Sequence, residues 1–269
     1  AITPFNFTSI AGNLPTAPAL LGNTALWKPA STSVLSNWRV MQLLVEAGLP
    51  PGVVNFVPGP GATVGDPVLA DSRLAGVHFT GSTSVFRSIW NTIGTNIAHY
   101  GQYPRIVGET GGKNFVFADP SADVRSLVIG LLRGAFEYQG QKCSAASRAY
   151  IPESLWPAVR DQLAEEIGQI SMGDVSDFSN FMGALIDANS YAKLSGAIQL
   201  AKDSPDAEIL IGGECDDSKG WFVSPTVATA SIPVVSTSRG SSRRRNSKIS
   251  QIWRIDRLGR VKPRVVLSR

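Results

Sequence analysis

The run Gly108-Glu109-Thr110-Gly111-Gly112-Lys113-Asn114, answered further on by Gly140-Gln141-Lys142-Cys143-Ser144-Ala145, organises the chain. A carboxylate stands at one end and a thiol at the other, 143 − 109 = 34 residues apart. The Gly111-Gly112 pair permits a tight turn, or the close approach of a ligand to the backbone. Lys142 adjoins Cys143, and a neighbouring cation lowers a thiol's pKa toward the reactive thiolate. The pair points to a cysteine nucleophile with a carboxylate able to act as its base. Each piece has a plainer meaning when taken alone. A lone cysteine packs as a small hydrophobe, and a glutamate beside glycines sits in a solvated loop.

Outward from this stretch, the chain alternates strand and helix. Residues 2–7 read as the end of a strand and a turn, and 14–21 as a helix stopped by Gly22-Asn23. A short strand over 24–28 is closed by Pro29. Val34, Trp38, Met41 and Val45 recur at helical spacing, with Gly48 as the stop. Strands follow over 53–57 and 77–80, and helices over 63–70 and 85–93. Residues 91–104 read as a loop insertion. Beyond it come a strand over 114–118, a helix start at Asp119-Pro120-Ser121, a helix over 122–138 that delivers Cys143, and a strand over 148–151. Leu155, Val159, Leu163 and Ile167 mark another helix, 187–203 a further one, and 208–213 and 221–227 the late strands. This rhythm predicts a parallel sheet with helices on both faces. A boundary near 110 separates a first domain, 1–110, from a second, 111–230.

Composition narrows the partners. Apolar residues make up 43% of the 269, as in a globular protein, and no apolar run approaches the ~18 residues of a membrane span. The overall charge of +4 misleads. Residues 231–269 hold eleven Lys/Arg and one acid, Asp256, a net of +10. That leaves 25 − 11 = 14 bases against 21 − 1 = 20 acids, a net of −6, for 1–230. No nucleic-acid partner is therefore expected of the body. The serine- and arginine-rich tail over 231–269 is expected to be disordered or foreign to the rest. Cys143 and Cys215 make neither a disulfide framework nor a zinc site and suit a reducing compartment. His78 and His99 are too few for a metal cluster, so no metal is expected, and His78, between Val77 and Phe79, reads as a satisfied strand histidine. The opening Ala1-Ile2-Thr3-Pro4 shows no charged-then-apolar leader and reads as the inside of a strand, as in a partial chain.

Glu109-Thr110-Gly111-Gly112-Lys113 and Gly140-Gln141-Lys142-Cys143 together resemble the E-x-G-G-K and G-Q-x-C signatures of the aldehyde dehydrogenase superfamily. The resemblance covers roughly 1–228. It implies an α/β fold with a Rossmann-type parallel-sheet NAD domain and an α/β catalytic domain, both incomplete. It implies Cys143 as nucleophile, Glu109 as general base and Asn6, in Pro4-Phe5-Asn6-Phe7, as oxyanion donor. Alone, Asn6 would be a turn residue and Lys28 a solvated one. By resemblance, NAD is held by Lys28 and Pro29, by Gly59 and Gly65, by Phe79, Thr80, Gly81 and Ser82, and by Thr110 and Gly111. The strand-to-helix turn at 79–83 offers backbone N–H groups to phosphate. The run 141–148, the opening 2–8 and the segment 96–100 look most like the glutamate-semialdehyde (pyrroline-5-carboxylate) dehydrogenase branch, with Phe7, Lys142 and Ser144 toward a small acidic aldehyde. Such enzymes are homo-oligomers, and in eukaryotes the resemblance implies the mitochondrial matrix, otherwise the cytoplasm. After Ser224-Pro225-Thr226 the family's E-E-x-F-G-P motif and its oligomerisation strand are not found. A truncated, catalytically impaired aldehyde dehydrogenase fragment, or a dehydrogenase for another aldehyde, is therefore the alternative, and an unrelated thiol acyl hydrolase a third.

Overall fold

A computed structural model describes residues 1–230 and 253–258. The chain divides into two units, Ala1–Gly111 and Gly112–Arg269.

In the first unit, residues 1–3 are followed by α1 (Thr8–Leu20), β1 (Ala25–Trp27), α2 (Val34–Glu46), β2 (Val54–Phe56), α3 (Gly61–Ala70), β3 (Gly76–Gly81), α4 (Thr83–Thr95) and β4 (Arg105–Thr110). β1 pairs with β2 and β3 with β4, both in parallel. Residues 1–3 join the two pairs. The Ile2 N–H donates to the His78 carbonyl at 2.8 Å and the Thr80 N–H to the Ile2 carbonyl at 3.0 Å, while the Thr3 N–H donates to Lys28 at 3.1 Å. The order is β2, β1, residues 1–3, β3, β4. Counted along the chain this is 3-2-1-4-5, the doubly wound order. One face is closed by Ala11, Ala25, Trp27 and Val54 with Val40 and Met41. The other is closed by Val77, Phe79, Ile89, Ile93 and Tyr100. The alternation of Val77 and Phe79 with His78 and Thr80 is what sends β3 to both.

His78 has a structural task, as its strand context suggested. α1 contains Pro15 and Pro18. Pro18 has no N–H for the carbonyl four residues back, which is that of Leu14. His78 Nδ1 lies 3.2 Å from the Leu14 oxygen. A carbonyl only accepts, so Nδ1 carries the proton. His78→Ala should cost about 1–2 kcal/mol, the range for a partly buried acceptor left unpaired. Pro18→Ala restores an intrahelical donor, so in that background the cost of His78→Ala should fall toward zero. A double-mutant cycle in urea measures the difference, and strict additivity would refute this explanation.

The second unit contains β5 (Asn114–Phe117), α5 (Val124–Phe136), β6 (Ala146–Pro152), α6 (Trp156–Gly168), α7 (Ala188–Lys202), β7 (Ala207–Ile211), the short pair β8 (Cys215–Asp216) and β9 (Phe222–Val223), β10 (Val227–Ala230) and β11 (Trp253–Leu258). The main sheet runs β5-β6-β11-β10-β7. It is parallel except where β10 meets β7. α5 and α6 cover it through Val128, Leu131, Val159 and Leu163, all nearly or fully buried.

Four expectations change. The first helix starts at Thr8 instead of 14. α4 runs through Asn91 to Thr95, so the break in rhythm begins at Asn96 and holds only a short 3₁₀ turn, Ile97–His99. Asp123, not Asp119, caps α5: its carboxylate accepts from the Ser126 N–H at 2.8 Å, which holds its pKa below the usual range. Asp119 instead closes a turn on Ser121. In the tail, 231–252 and 259–269 lie outside the described residues. The backbone of Trp253–Leu258 forms β11 between β6 and β10, unlike the disorder expected. Trp253 and Ile255 alternate there with Arg254 and Asp256, a strand period that the tail's basic composition hides.

Candidate active site

Parallel strands deliver their C-terminal ends to one edge of a sheet. In the first unit, residues 1–3 lead into Asn6 and Phe7, β1 into Lys28 and Pro29, β2 toward Gly59, and β3 into Ser82, with Phe79, Thr80 and Gly81 as its last residues. β4 carries Glu109 and Thr110 to the same edge, with Gly111 just beyond. Gly65 is set back within α3. Apart from Gly65, the sequence-predicted cofactor residues therefore gather along one carboxyl edge. Its switch point falls between residues 1–3 and β3, with α1 and α4 on opposite faces.

The electrostatics of that edge favour an anion. α1, α3 and α4 all begin there, and none carries an acidic residue in its first turn. Each helix start presents N–H groups and a partial positive charge. Ser82 caps α4 by accepting from the Val85 N–H at 3.4 Å, whereas α1 and α3 have no side-chain cap. Burial pushes the Lys28 ammonium below its usual pKa. Its Nζ donates to the Pro29 carbonyl at 3.0 Å, and no ion pair among the described residues neutralises it.

Glu109 helps line a cleft of about 350 Å³, with Ser9, Asn13, His78, Thr80 and Val107 among its walls. The residue before it must be small. A Cβ on Gly108 would stand 2.0 Å from the ring of Phe86, which is stacked on Phe79 and meets Trp90 edge-on. Glu109 is exposed, and Asn6 and Phe7 are half-buried.

The thiol belongs to the second unit. Cys143 is half-buried on the loop between a 3₁₀ turn, Glu137–Gly140, and β6, and Ser144 beside it is exposed. Gly112 shapes this loop, since a Cβ there would lie 2.6 Å from the Cys143 carbonyl. Lys142 does not point freely toward a substrate. Its ammonium pairs with Glu137, which also holds Arg133 at 2.6 Å. The Lys142 bond is the main reason that the Glu137 carboxyl is held below its ordinary pKa. Cys215, on β8, is the contrasting thiol, its pKa raised by burial. Iodoacetamide at neutral pH should therefore label Cys143 at least several-fold faster than Cys215. Peptide mass mapping reads the two rates, and equal rates would remove the chemical distinction between them.

Two features escaped the sequence. β4, which carries Glu109, was signalled only by Ile106-Val107 between Pro104 and Gly111. The left-handed backbone of Tyr138 and Gln139, φ 58° and 56°, had no signal, since neither residue type favours it.

Comparison with known proteins agrees with this geometry. The profile of the aldehyde dehydrogenase family matches residues 1–236. The chain is 56% identical over 235 residues to the mitochondrial delta-1-pyrroline-5-carboxylate dehydrogenase of Dictyostelium discoideum, a match covering 87% of this chain and 42% of that protein. It is 49% identical over 234 residues to the human protein of the same name, with the same coverage. A crystal structure of the delta-pyrroline-5-carboxylate dehydrogenase from Mycobacterium tuberculosis bound with NAD superposes with a TM-score of 0.86 at 50% identity, over 96% of this chain and 46% of that one. The chain thus spans less than half the length of these relatives. Because the profile match takes in the doubly wound sheet, its carboxyl edge and the cysteine loop together, the chain belongs to the aldehyde dehydrogenase family.

Proposed function

We propose that this chain carries the dinucleotide edge and the nucleophile loop of an NAD-dependent aldehyde dehydrogenase that oxidises L-glutamate γ-semialdehyde, the open form of pyrroline-5-carboxylate, to glutamate. The observation that carries the proposal is the carboxyl edge of the first unit: three acid-free helix starts and a desolvated Lys28 on a doubly wound sheet. That set of donors fits a pyrophosphate. Lys28 and Pro29, Gly59 and Gly65, Phe79 to Ser82, and Thr110 and Gly111 would hold NAD. When bound, its nicotinamide supplies the hydride acceptor. The relatives' names support the substrate class and a mitochondrial location.

The chain's own residues supply the covalent chemistry. The Cys143 thiolate attacks the aldehyde carbon, forming a C–S bond and an oxyanion. The Asn6 side-chain amide donates to that oxyanion without changing charge. After oxidation to the thioester, Glu109 takes a proton from the water that releases the acid. Phe7, Lys142 and Ser144 would face the substrate, with Lys142 giving up Glu137 for a substrate carboxylate. The test is spectrophotometric. Purified chain, NAD⁺ and L-glutamate γ-semialdehyde should yield one NADH per aldehyde consumed. Ester turnover with no NADH formed from the aldehyde would make the protein a thiol acyl hydrolase instead.

A further inference from the structure

The nucleophile loop is held in a conformation that its own residues disfavour. Tyr138, Gln139 and Gly140 are three successive left-handed residues, with φ of 58°, 56° and 64°. The first two are not glycine, and such backbone persists only where the surroundings over-determine it. Two side chains supply the constraint. Gln139 Nε2 donates to the Ala184 carbonyl at 3.2 Å. The Ile186 N–H donates to Gln141 Oε1 at 3.1 Å. The spacings are equal, 184 − 139 = 45 and 186 − 141 = 45, and the bonds run in opposite directions. They form two rungs of a parallel ladder made by side-chain amides, where backbone groups would stand in a sheet.

The strip that receives them is firm. Met182 is 5% exposed and Leu185 6%. The Leu185 N–H donates to the Trp221 carbonyl at 2.8 Å, and the Met182 carbonyl accepts from Gly173 at 3.0 Å. Gly183 makes room for the first rung, since a Cβ there would lie 2.9 Å from Gln139 Nε2. We infer that Gln139 and Gln141 are positioning residues for Cys143, tethering its loop to residues 183–186 so that the thiol is fixed between α5 and β6. The inference rests on the reading of Cys143 as the nucleophile. It gives the loop's strain a purpose, because a displacement of about 1 Å at a reacting atom can cost roughly 100-fold in rate.

The test compares Gln139→Ala with Gln139→Glu in the full chain. Glutamate keeps the size of the side chain but cannot donate to Ala184. Three readouts are taken: backbone amide exchange over 138–145 and 183–186, the ratio of Cys143 to Cys215 alkylation, and the thermal midpoint. Both variants should speed exchange in the two segments together, by roughly three- to tenfold as expected for one lost hydrogen bond. Both should shift the alkylation ratio at least threefold, with the thermal midpoint little changed. Wild-type exchange and alkylation in Gln139→Glu would overturn the tether and leave Gln139 as packing. NADH formation by the wild-type chain is scored separately. If it fails while the two segments still loosen together, the dehydrogenase reading falls and the tether stands. If NADH forms and neither variant moves exchange or alkylation, the tether falls and the dehydrogenase reading stands.

Discussion

Replacing Cys143 by alanine is expected to abolish aldehyde-dependent NADH formation, by roughly 10⁴-fold or more, because the covalent path has no substitute within the loop. The fold should survive. Cys143 is half-buried and lies outside the buried clusters of the second unit, so the thermal midpoint should move little. NAD⁺ affinity should also be retained, since the proposed dinucleotide residues belong to the first unit. That split separates a chemical lesion from a structural one. Cys143→Ser keeps a hydroxyl of similar shape but a far weaker nucleophile at neutral pH, and should be nearly as inactive. Initial rates with intact folding, checked by circular dichroism, measure the effect. Turnover by Cys143→Ala within tenfold of wild type would remove the thioester mechanism.

The largest stability effect is expected at Trp27. Its side chain is fully buried, its indole N–H donates to the Thr3 hydroxyl at 2.9 Å, and its ring meets Phe56 edge-on at 5.1 Å. Trp27 therefore ties β1 to residues 1–3 and to β2, the half of the sheet that runs 3-2-1. Trp27→Ala should cost about 3–5 kcal/mol through the cavity and lost contacts, and leaves Thr3 without its partner. A loss of that size lowers the thermal midpoint by roughly 10 °C in a chain of this length. Trp27→Phe keeps much of the volume and isolates the hydrogen bond, with an expected cost of about 1–2 kcal/mol. Urea unfolding resolves the two. A midpoint unchanged in Trp27→Ala would mean that this corner of the sheet contributes little to folding. Because Lys28 follows directly, a loosened β1 should also weaken NAD⁺ binding.

Much of this was legible where one residue type had one dominant meaning. Gly48 stops α2 and takes φ of 94°, as a helix-ending glycine should. Leu155, Val159, Leu163 and Ile167 do form the inward stripe of α6, apart from Leu155, which only flanks it. Asp187 caps α7 by accepting from the Ser190 N–H at 2.7 Å. What the sequence hid depends on partners distant in the chain. Residues 1–3 look like a strand end, yet hydrogen bonds to Lys28 and His78 place them at the centre of the sheet. His78 gave no hint that Pro18 had freed a carbonyl for it. Arg105–Thr110 carries two charges and is interrupted by Gly108, so it does not announce a strand, and only pairing with β3 makes it one. The tether from Gln139 and Gln141 to residues 183–186 joins glutamines to backbone groups, which no pattern of side chains encodes.

The most direct measurement is a thermal melt of the purified chain with and without NAD⁺ at about 100 times its dissociation constant. A dinucleotide site along the carboxyl edge predicts one cooperative transition that NAD⁺ stabilises by about 2.7 kcal/mol. The gain should shrink at equal NAD⁺ concentration when Lys28 is replaced by alanine. A cooperative transition that NAD⁺ leaves unmoved would contradict the account, because the doubly wound sheet would then be folded without being a cofactor site.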